Sequence, residues 1–92
     1  MIQRFRHRGL RQLYESGNRR NLKADQVPKI ERILARLDEA TDVSHMDLPG
    51  FRFHPLRGTL AGFWAVTVQA NWRIVFRFEA GHAYDVDLVD YH

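Results

Sequence analysis

Two short segments carry residue types that can transfer protons and bind anions: residues 53–58, with the sequence FHPLRG, and the last four residues, 89–92, with the sequence VDYH. Each also has an ordinary structural interpretation, because a His before Pro is usually a loop residue and a terminal Tyr-His is usually a frayed end. Arg73 is a third candidate, since arginine is a standard oxyanion ligand. Its structural alternative is a cross-strand pair with Asp87, which would contribute only about 0.2 to 1 kcal/mol.

Several other kinds of site are disfavoured by the same residues. The five His show no paired metal-ligand spacing such as i, i+4 on a helix. The absence of Cys excludes disulfides, thiol nucleophiles and cysteine-bearing zinc sites. Gly58 and Gly62 are four residues apart, but no Lys-Ser/Thr follows them, so there is no phosphate-binding loop. We therefore expect neither a metal nor a cofactor.

Charge is distributed unevenly along the chain. Residues 1–36 hold ten Lys/Arg against three Asp/Glu, whereas the remainder holds four against eight. Twelve of the fourteen cations are arginines, whose planar guanidinium binds phosphate through two hydrogen bonds, so a polyanion such as RNA is a natural partner. The alternative is a solvated basic face. The candidate RNA-binding residues, here called the basic segment, are Arg4, Arg6, Arg8, Arg11, Arg19, Arg20 and Lys23.

Length and composition predict one domain over residues 1–92. The apolar fraction is 45%, and six Phe, three Tyr and two Trp are enough to fill one core. No apolar run approaches the roughly 20 residues that span a bilayer, and the basic start leads into no signal-peptide core. We expect no membrane insertion, and the cysteine-free chain fits a cytoplasmic location.

Two helices are predicted in the first half of the chain. Helical spacing of apolar residues before Gly17 indicates a short helix from about His7 to Ser16. Asp25 is the expected cap of a second helix that ends near Ala40. Its apolar stripe consists of Val27, Ile30, Ile33, Leu34 and Leu37.

From residue 51 onward the pattern changes to strands, predicted over 51–54, 63–69, 72–78 and 83–89. Connections as short as the last two require antiparallel neighbours. We predict an α+β fold in which both N-terminal helices pack on one face of a small, mainly antiparallel sheet of three to four strands.

The last hairpin has a predictable register. A three-residue loop over 79–81 with Gly81 left-handed would place Phe78 opposite His82, and Arg77 diagonal to Asp85 on the polar face. Alternation assigns to the core face Trp72, Ile74, Phe76, Phe78, Tyr84, Val86 and Leu88. The strand over 63–69 is apolar on both faces, so its register stays open.

Four segments occur in an order that resembles the HigB toxins of the RelE/ParE superfamily: 54–58 (HPLRG), 62–64 (GFW), 70–74 (ANWRI) and 89–92 (VDYH). The terminal Asp-Tyr-His is the most specific part, and the similarity runs from the basic start to the last residue. The resemblance implies a RelE-like fold and a ribosome-dependent endonuclease that cuts messenger RNA at translated codons in the A site. It also implies an antitoxin of the HigA type with a helix-turn-helix, through which the complex would bind operator DNA.

The resemblance further implies a set of catalytic residues: His54, Arg57, Arg73, Asp90, Tyr91 and His92. Metal-free cleavage requires a base at the attacking 2′-hydroxyl, cations at the phosphate and an acid at the leaving 5′-oxygen. We assign Arg57 and Arg73 to the phosphate. His54 and His92 would transfer protons because histidine titrates near neutrality, and which of them is the base stays open.

Two of these residues have further possible roles. Asp90 could orient a His or act as the base, and Tyr91 could stack on a codon base or donate a hydrogen bond. Alternation places Asp90 and His92 on the core side of an ideal strand, so the terminus would have to leave the sheet for both to reach RNA. Many members of the family carry Lys where this chain has Arg57, and arginine can stabilise charge there but cannot act as a base.

Two other functions remain open at this point. A ParE-like gyrase inhibitor would share the fold, but that branch generally lacks the terminal Asp-Tyr-His. A non-catalytic RNA-binding module would bind RNA through the basic segment without cleaving it.

Overall fold

The computed structural model describes residues 1–90, and its elements follow the predicted order of helices and then strands. Helix α1 covers Arg8–Ser16 and helix α2 covers Val27–Glu39, with short 3-10 turns at Val43–Met46 and Gly58–Leu60. The strands are β1 (His54–Pro55), β2 (Trp64–Gln69), β3 (Trp72–Glu79) and β4 (His82–Asp90). They form one antiparallel sheet in the order β1-β2-β3-β4. The predicted α+β fold is confirmed.

The two helices begin differently. In α1 the ring of His7 accepts a hydrogen bond from a backbone amide of the first turn, and Gly17 ends the helix in the left-handed conformation at φ 73°. Helix α2 starts after Gln26 without a side-chain cap, so the predicted cap at Asp25 was wrong. The Asp25 carboxylate instead accepts a hydrogen bond from Gln69 at 3.1 Å, which ties the start of α2 to the end of β2.

The core lies between the helices and one face of the sheet. The stripe predicted on α2 is buried, and it packs with sheet residues that alternation had assigned to the core. From the sheet these are the buried Ile74, Phe76 and Val86 with the partly buried Trp72, Phe78 and Leu88. We call this side of the sheet the inner face and the opposite side the outer face.

The β3–β4 hairpin differs from the predicted one. Glu79 pairs with His82, so the turn has two residues, Ala80 and Gly81, both at positive φ as in a type I′ turn. A bulge then shifts the register between residues 75 and 77, and Asp85 adopts a φ of 54° there. Because the turn has two residues and not three, Tyr84 lies opposite Arg77 on the outer face, and its predicted place in the core was wrong.

A smaller apolar cluster covers part of the outer face and explains why β2 is apolar on both sides. Phe63, Ala65 and Val75 are buried there. The loop after β1 contributes Leu56 and Leu60, and Val89 completes the cluster from β4. This packing holds the loop over residues 56–62 against the outer face.

The N-terminal segment runs parallel to β4, which the sequence patterns had not predicted. Ile2 and Phe5 form bridges with Ala83 and Val86, and the amide of Gln3 donates to the Ala83 carbonyl at 2.8 Å. The first residues therefore extend the sheet beyond its fourth strand. Among residues 1–90, no helix is long and apolar enough to cross a membrane.

Candidate functional site

The outer face brings His54 and Arg73 onto the same side of the sheet. His54 pairs with Ala65 on β2, and Arg73 pairs with Thr67, which is two residues further along the same strand. Their Cα atoms are thus two strands apart and two residues offset, which ordinary sheet spacings make about 12 Å. Both side chains can reach one phosphate group lying between them once the Arg73 guanidinium, which bonds the Ala70 carbonyl in the β2–β3 turn, swings toward His54.

His54 is held by its own backbone environment. It precedes a proline, which favours the extended conformation. Its ring Nδ1 lies 2.8 Å from the carbonyl oxygen of Arg52, which can only accept, so Nδ1 carries the proton and donates. The Nε2 atom is therefore the ring nitrogen that can accept a proton from a ligand on this half-buried side chain.

Arg73 does not pair with Asp87, so that prediction was wrong. Arg73 lies opposite Val89, whereas Asp87 lies opposite Val75 and accepts a hydrogen bond from the following amide. The guanidinium donates to the carbonyl of Ala70 at 2.8 Å, and none of the ion pairs among residues 1–90 includes it. A guanidinium without an ion pair among residues 1–90 suits an anion-binding role.

The bulge in β3–β4 holds a charge network that is separate from these residues. Asp85 is only 8% exposed, and it receives hydrogen bonds from Arg4 at 2.6 Å and from Arg77 at 3.2 Å. Arg77 also pairs with Glu79. The bonds from Arg4 and then Arg77 hold the pKa of Asp85 below its usual range despite burial. The diagonal contact predicted between Arg77 and Asp85 is confirmed.

Arg57 is exposed in the loop after β1, directly before the 3-10 turn. Gly58 at φ 68° and Gly62 at φ 93° allow the tight path of this loop. Because Leu56 and Leu60 anchor the loop to the outer-face cluster, Arg57 is carried at the rim of the face that bears His54.

Asp90 ends β4 opposite Trp72, on the inner-face side, as alternation predicted. It is exposed at the end of the strand, beside the row that contains Arg73. Tyr91 and His92 lie outside the described residues. The described chain thus brings His54, Arg73 and the Arg57 loop to one face, with Asp90 emerging from the other side of the sheet end.

The basic segment divides among several places. Arg4 and Arg6 lie over outer-face aromatic rings, those of Tyr84 at 5.4 Å and Phe63 at 5.2 Å. Arg8 and Arg11 are exposed on α1, and Arg20 is exposed in the following loop. Arg19 lies 3.5 Å from Glu31, and the ammonium of Lys23 lies 4.7 Å from the ring centre of Trp72.

Thr67 is a candidate site residue that the sequence patterns missed. It lies opposite Arg73, is 8% exposed, and its buried hydroxyl has no hydrogen-bond partner among residues 1–90. The only available signal was a polar side chain between two valines on β2. Within the same residues, no group of three His, Asp or Glu side chains is placed to hold a metal ion.

Two helices covering one face of an antiparallel meander, with His and Arg side chains on the other face, define a small toxin of the RelE-like class. A family model described as the RelE-like toxin of the type II toxin-antitoxin system HigB matches residues 3–92. The chain therefore belongs to the HigB family of RelE-like toxins, as the motif order had predicted. Membership of a toxin-antitoxin system implies an antitoxin partner.

Individual relatives agree with this assignment. Endoribonuclease HigB of Proteus vulgaris is 40% identical over 92 residues, covering 100% of each chain. Toxin HigB-1 of Vibrio cholerae serotype O1 is 32% identical over 85 residues, covering 90% of each. Among solved structures, a mutant of YafQ from E. coli superposes with a TM-score of 0.54 at 13% identity, covering 98% of this chain and 91% of YafQ. At that identity the likeness to YafQ concerns the fold alone.

Proposed function

We propose that this toxin is a ribosome-dependent endoribonuclease that cleaves messenger RNA within translated codons in the A site. The observation that carries the proposal is the shared outer face of His54 and Arg73, with Nε2 of the imidazole oriented away from its backbone partner. The name of the Proteus vulgaris relative, an endoribonuclease aligned over the full length, supports the same reaction class.

The reaction follows from the groups available. A base removes the proton of a 2′-hydroxyl, whose oxygen attacks the adjacent phosphorus, and the bond to the 5′-oxygen breaks as an acid supplies its proton. The products are a 2′,3′-cyclic phosphate and a 5′-hydroxyl. Arg73 and Arg57 neutralise the charge that develops on the non-bridging oxygens, because guanidinium remains protonated throughout.

Proton transfer belongs to the two candidate histidines. His54 has a fixed tautomer, so its Nε2 is ready to accept a proton as base, or to donate one as acid after protonation. His92 would take the complementary role. Asp90, at the end of β4, would orient His92 or serve as base itself, and Tyr91 would stack on a base of the codon.

Ribosome binding is assigned to the exposed arginines of the basic segment. Phosphate contacts of this kind are sequence-independent and weaken steeply with salt. The antitoxin partner would be a HigA-like protein with a helix-turn-helix, and the complex would bind operator DNA through it. Since ribosomes and translated messages are the substrate, the toxin would act in the cytoplasm.

The decisive experiment is induced expression followed by mapping of messenger-RNA 5′ ends. In-frame cuts inside translated codons are expected, together with 5′-hydroxyl ends. A growth arrest without cuts but with inhibited gyrase would identify a ParE-like toxin, and ribosome binding without cuts would identify a non-catalytic RNA-binding module.

A further inference from the structure

A second charged feature stands beside the end of β4, on the inner-face side. The loop before α2 is fastened there by the hydrogen bond from Gln69 to Asp25. Two residues earlier, the ammonium of Lys23 lies 4.7 Å from the ring centre of Trp72. The indole holds the ammonium at this distance, and because Lys23 is exposed its N–H donors remain accessible to solvent.

Lys23 and Asp90 both lie at Trp72. Trp72 is the direct cross-strand partner of Asp90, so both side chains project from the same face with Cβ atoms about 5 Å apart. Arg73 projects from the opposite face at the adjacent position. The end of the sheet therefore carries a cation on each side, and Asp90 lies on the same side as Lys23.

Building on the proposed function, we propose that Lys23 and Trp72 form a subsite for the substrate RNA backbone, in which the Lys23 ammonium binds a phosphate neighbouring the scissile one. The indole sets the height of the ammonium above the sheet, and the Asp25–Gln69 bond fixes the loop that carries it. This separates Lys23 from the exposed arginines that dock on ribosomal RNA. An RNA strand crossing the end of the sheet would meet Arg73 on one side and Lys23 on the other.

The other basic residues of this loop do not share that geometry. Arg19 faces Glu31 on α2 at 3.5 Å, and Arg20 is exposed at a turn. Neither lies against an aromatic ring of the sheet among the contacts within residues 1–90. Position over Trp72, rather than charge alone, is what marks Lys23 as a substrate contact.

The test compares Lys23→Gln and Lys23→Arg in the full chain on ribosomes programmed with a defined message. Single-turnover cleavage is measured with toxin in saturating excess, and ribosome association is measured separately by sedimentation. Lys23→Gln is expected to lower the saturated cleavage rate about 10- to 100-fold, the loss typical of a hydrogen bond to a charged group, with association within about twofold of the unmodified toxin. Lys23→Arg should restore most of the rate, since guanidinium also binds above an indole.

Two further variants keep the result interpretable. Arg20→Gln should weaken association, and Arg36→Gln, on the exposed side of α2, should alter neither measurement. Weakened association of Lys23→Gln with an unchanged saturated rate would make Lys23 a docking residue and overturn the subsite. An unchanged rate and association would do the same. Absence of cleavage by the unmodified toxin would overturn the endonuclease proposal and the subsite with it.

Discussion

Replacing Arg73 by Ala should separate catalysis from stability. Among residues 1–90 the guanidinium makes one hydrogen bond, to the Ala70 carbonyl at 2.8 Å, and belongs to no ion pair. Loss of one such bond costs about 1 kcal/mol, or ~4–8 °C in melting temperature for a domain of this size. Loss of a preorganised cation at a developing oxyanion should instead lower the cleavage rate by about 10² to 10³.

The assay is single-turnover cleavage on saturated, programmed ribosomes, with melting followed by circular dichroism. Arg77→Ala is the matched control, because Arg77 lies on the same strand and face but bonds Asp85 and Glu79. It should lower the melting temperature more than Arg73→Ala does, while cleavage by the folded protein persists. Unfolding of Arg73→Ala, or a wild-type rate from a stable variant, would refute the assignment of Arg73 to the phosphate.

Three other predictions rest on described contacts and on the chain terminus. Thr67→Val should raise the melting temperature, because a buried hydroxyl without a partner costs about 1 to 3 kcal/mol; a lower melting temperature would mean that the hydroxyl is hydrogen-bonded in solution. The folded pKa of Asp85 is lowered, so its ionised carboxylate stabilises the fold above the ordinary aspartate pKa of about 4, and this contribution is lost as the pH falls through the lower folded value. Asp85→Asn should therefore flatten the acid side of the stability profile. An equally steep acid decline in that variant would assign the effect to other carboxylates. Deletion of His92 should reduce the saturated cleavage rate by about 10² to 10⁴, whereas full activity of that variant would assign proton transfer to His54 and Asp90.

The residues proposed for catalysis were found through motif order rather than through secondary-structure patterns. His54 had the alternative interpretation of an ordinary loop residue, and Arg73 that of a partner of Asp87, until the resemblance grouped them with Arg57. Thr67 and the position of Lys23 over Trp72 escaped both approaches, because they depend on which strand or loop lies alongside. No local pattern encodes a contact between residues so far apart in the chain.

The same limit explains the register of the last hairpin. Period-two alternation identified the inner-face side chains of β3 correctly, but it assumed a regular partner strand. The two-residue turn moves Tyr84 to the outer face, and the bulge at Asp85, whose left-handed conformation is held by Arg4 and Arg77, returns Val86 and Leu88 to the inner face. Non-glycine residues adopt that conformation uncommonly, aspartate more readily than most, and here the two arginine contacts stabilise it.

The sequence by itself determined the two helices, the last three strands, the inner face of β3 and the family, whereas the first strand was predicted over 51–54 and lies at His54–Pro55. Apolar spacing specifies which face of a helix or strand is buried, since the removal of apolar surface from water is the main driving force of folding. Only the tertiary structure decided that residues 2–5 extend the sheet and that the loop after β1 packs on the outer face. It also decided that Arg73 is not paired with Asp87. These features follow from long-range hydrogen bonds and ion pairs, whose partners are chosen by the assembled sheet and not by neighbours in the chain.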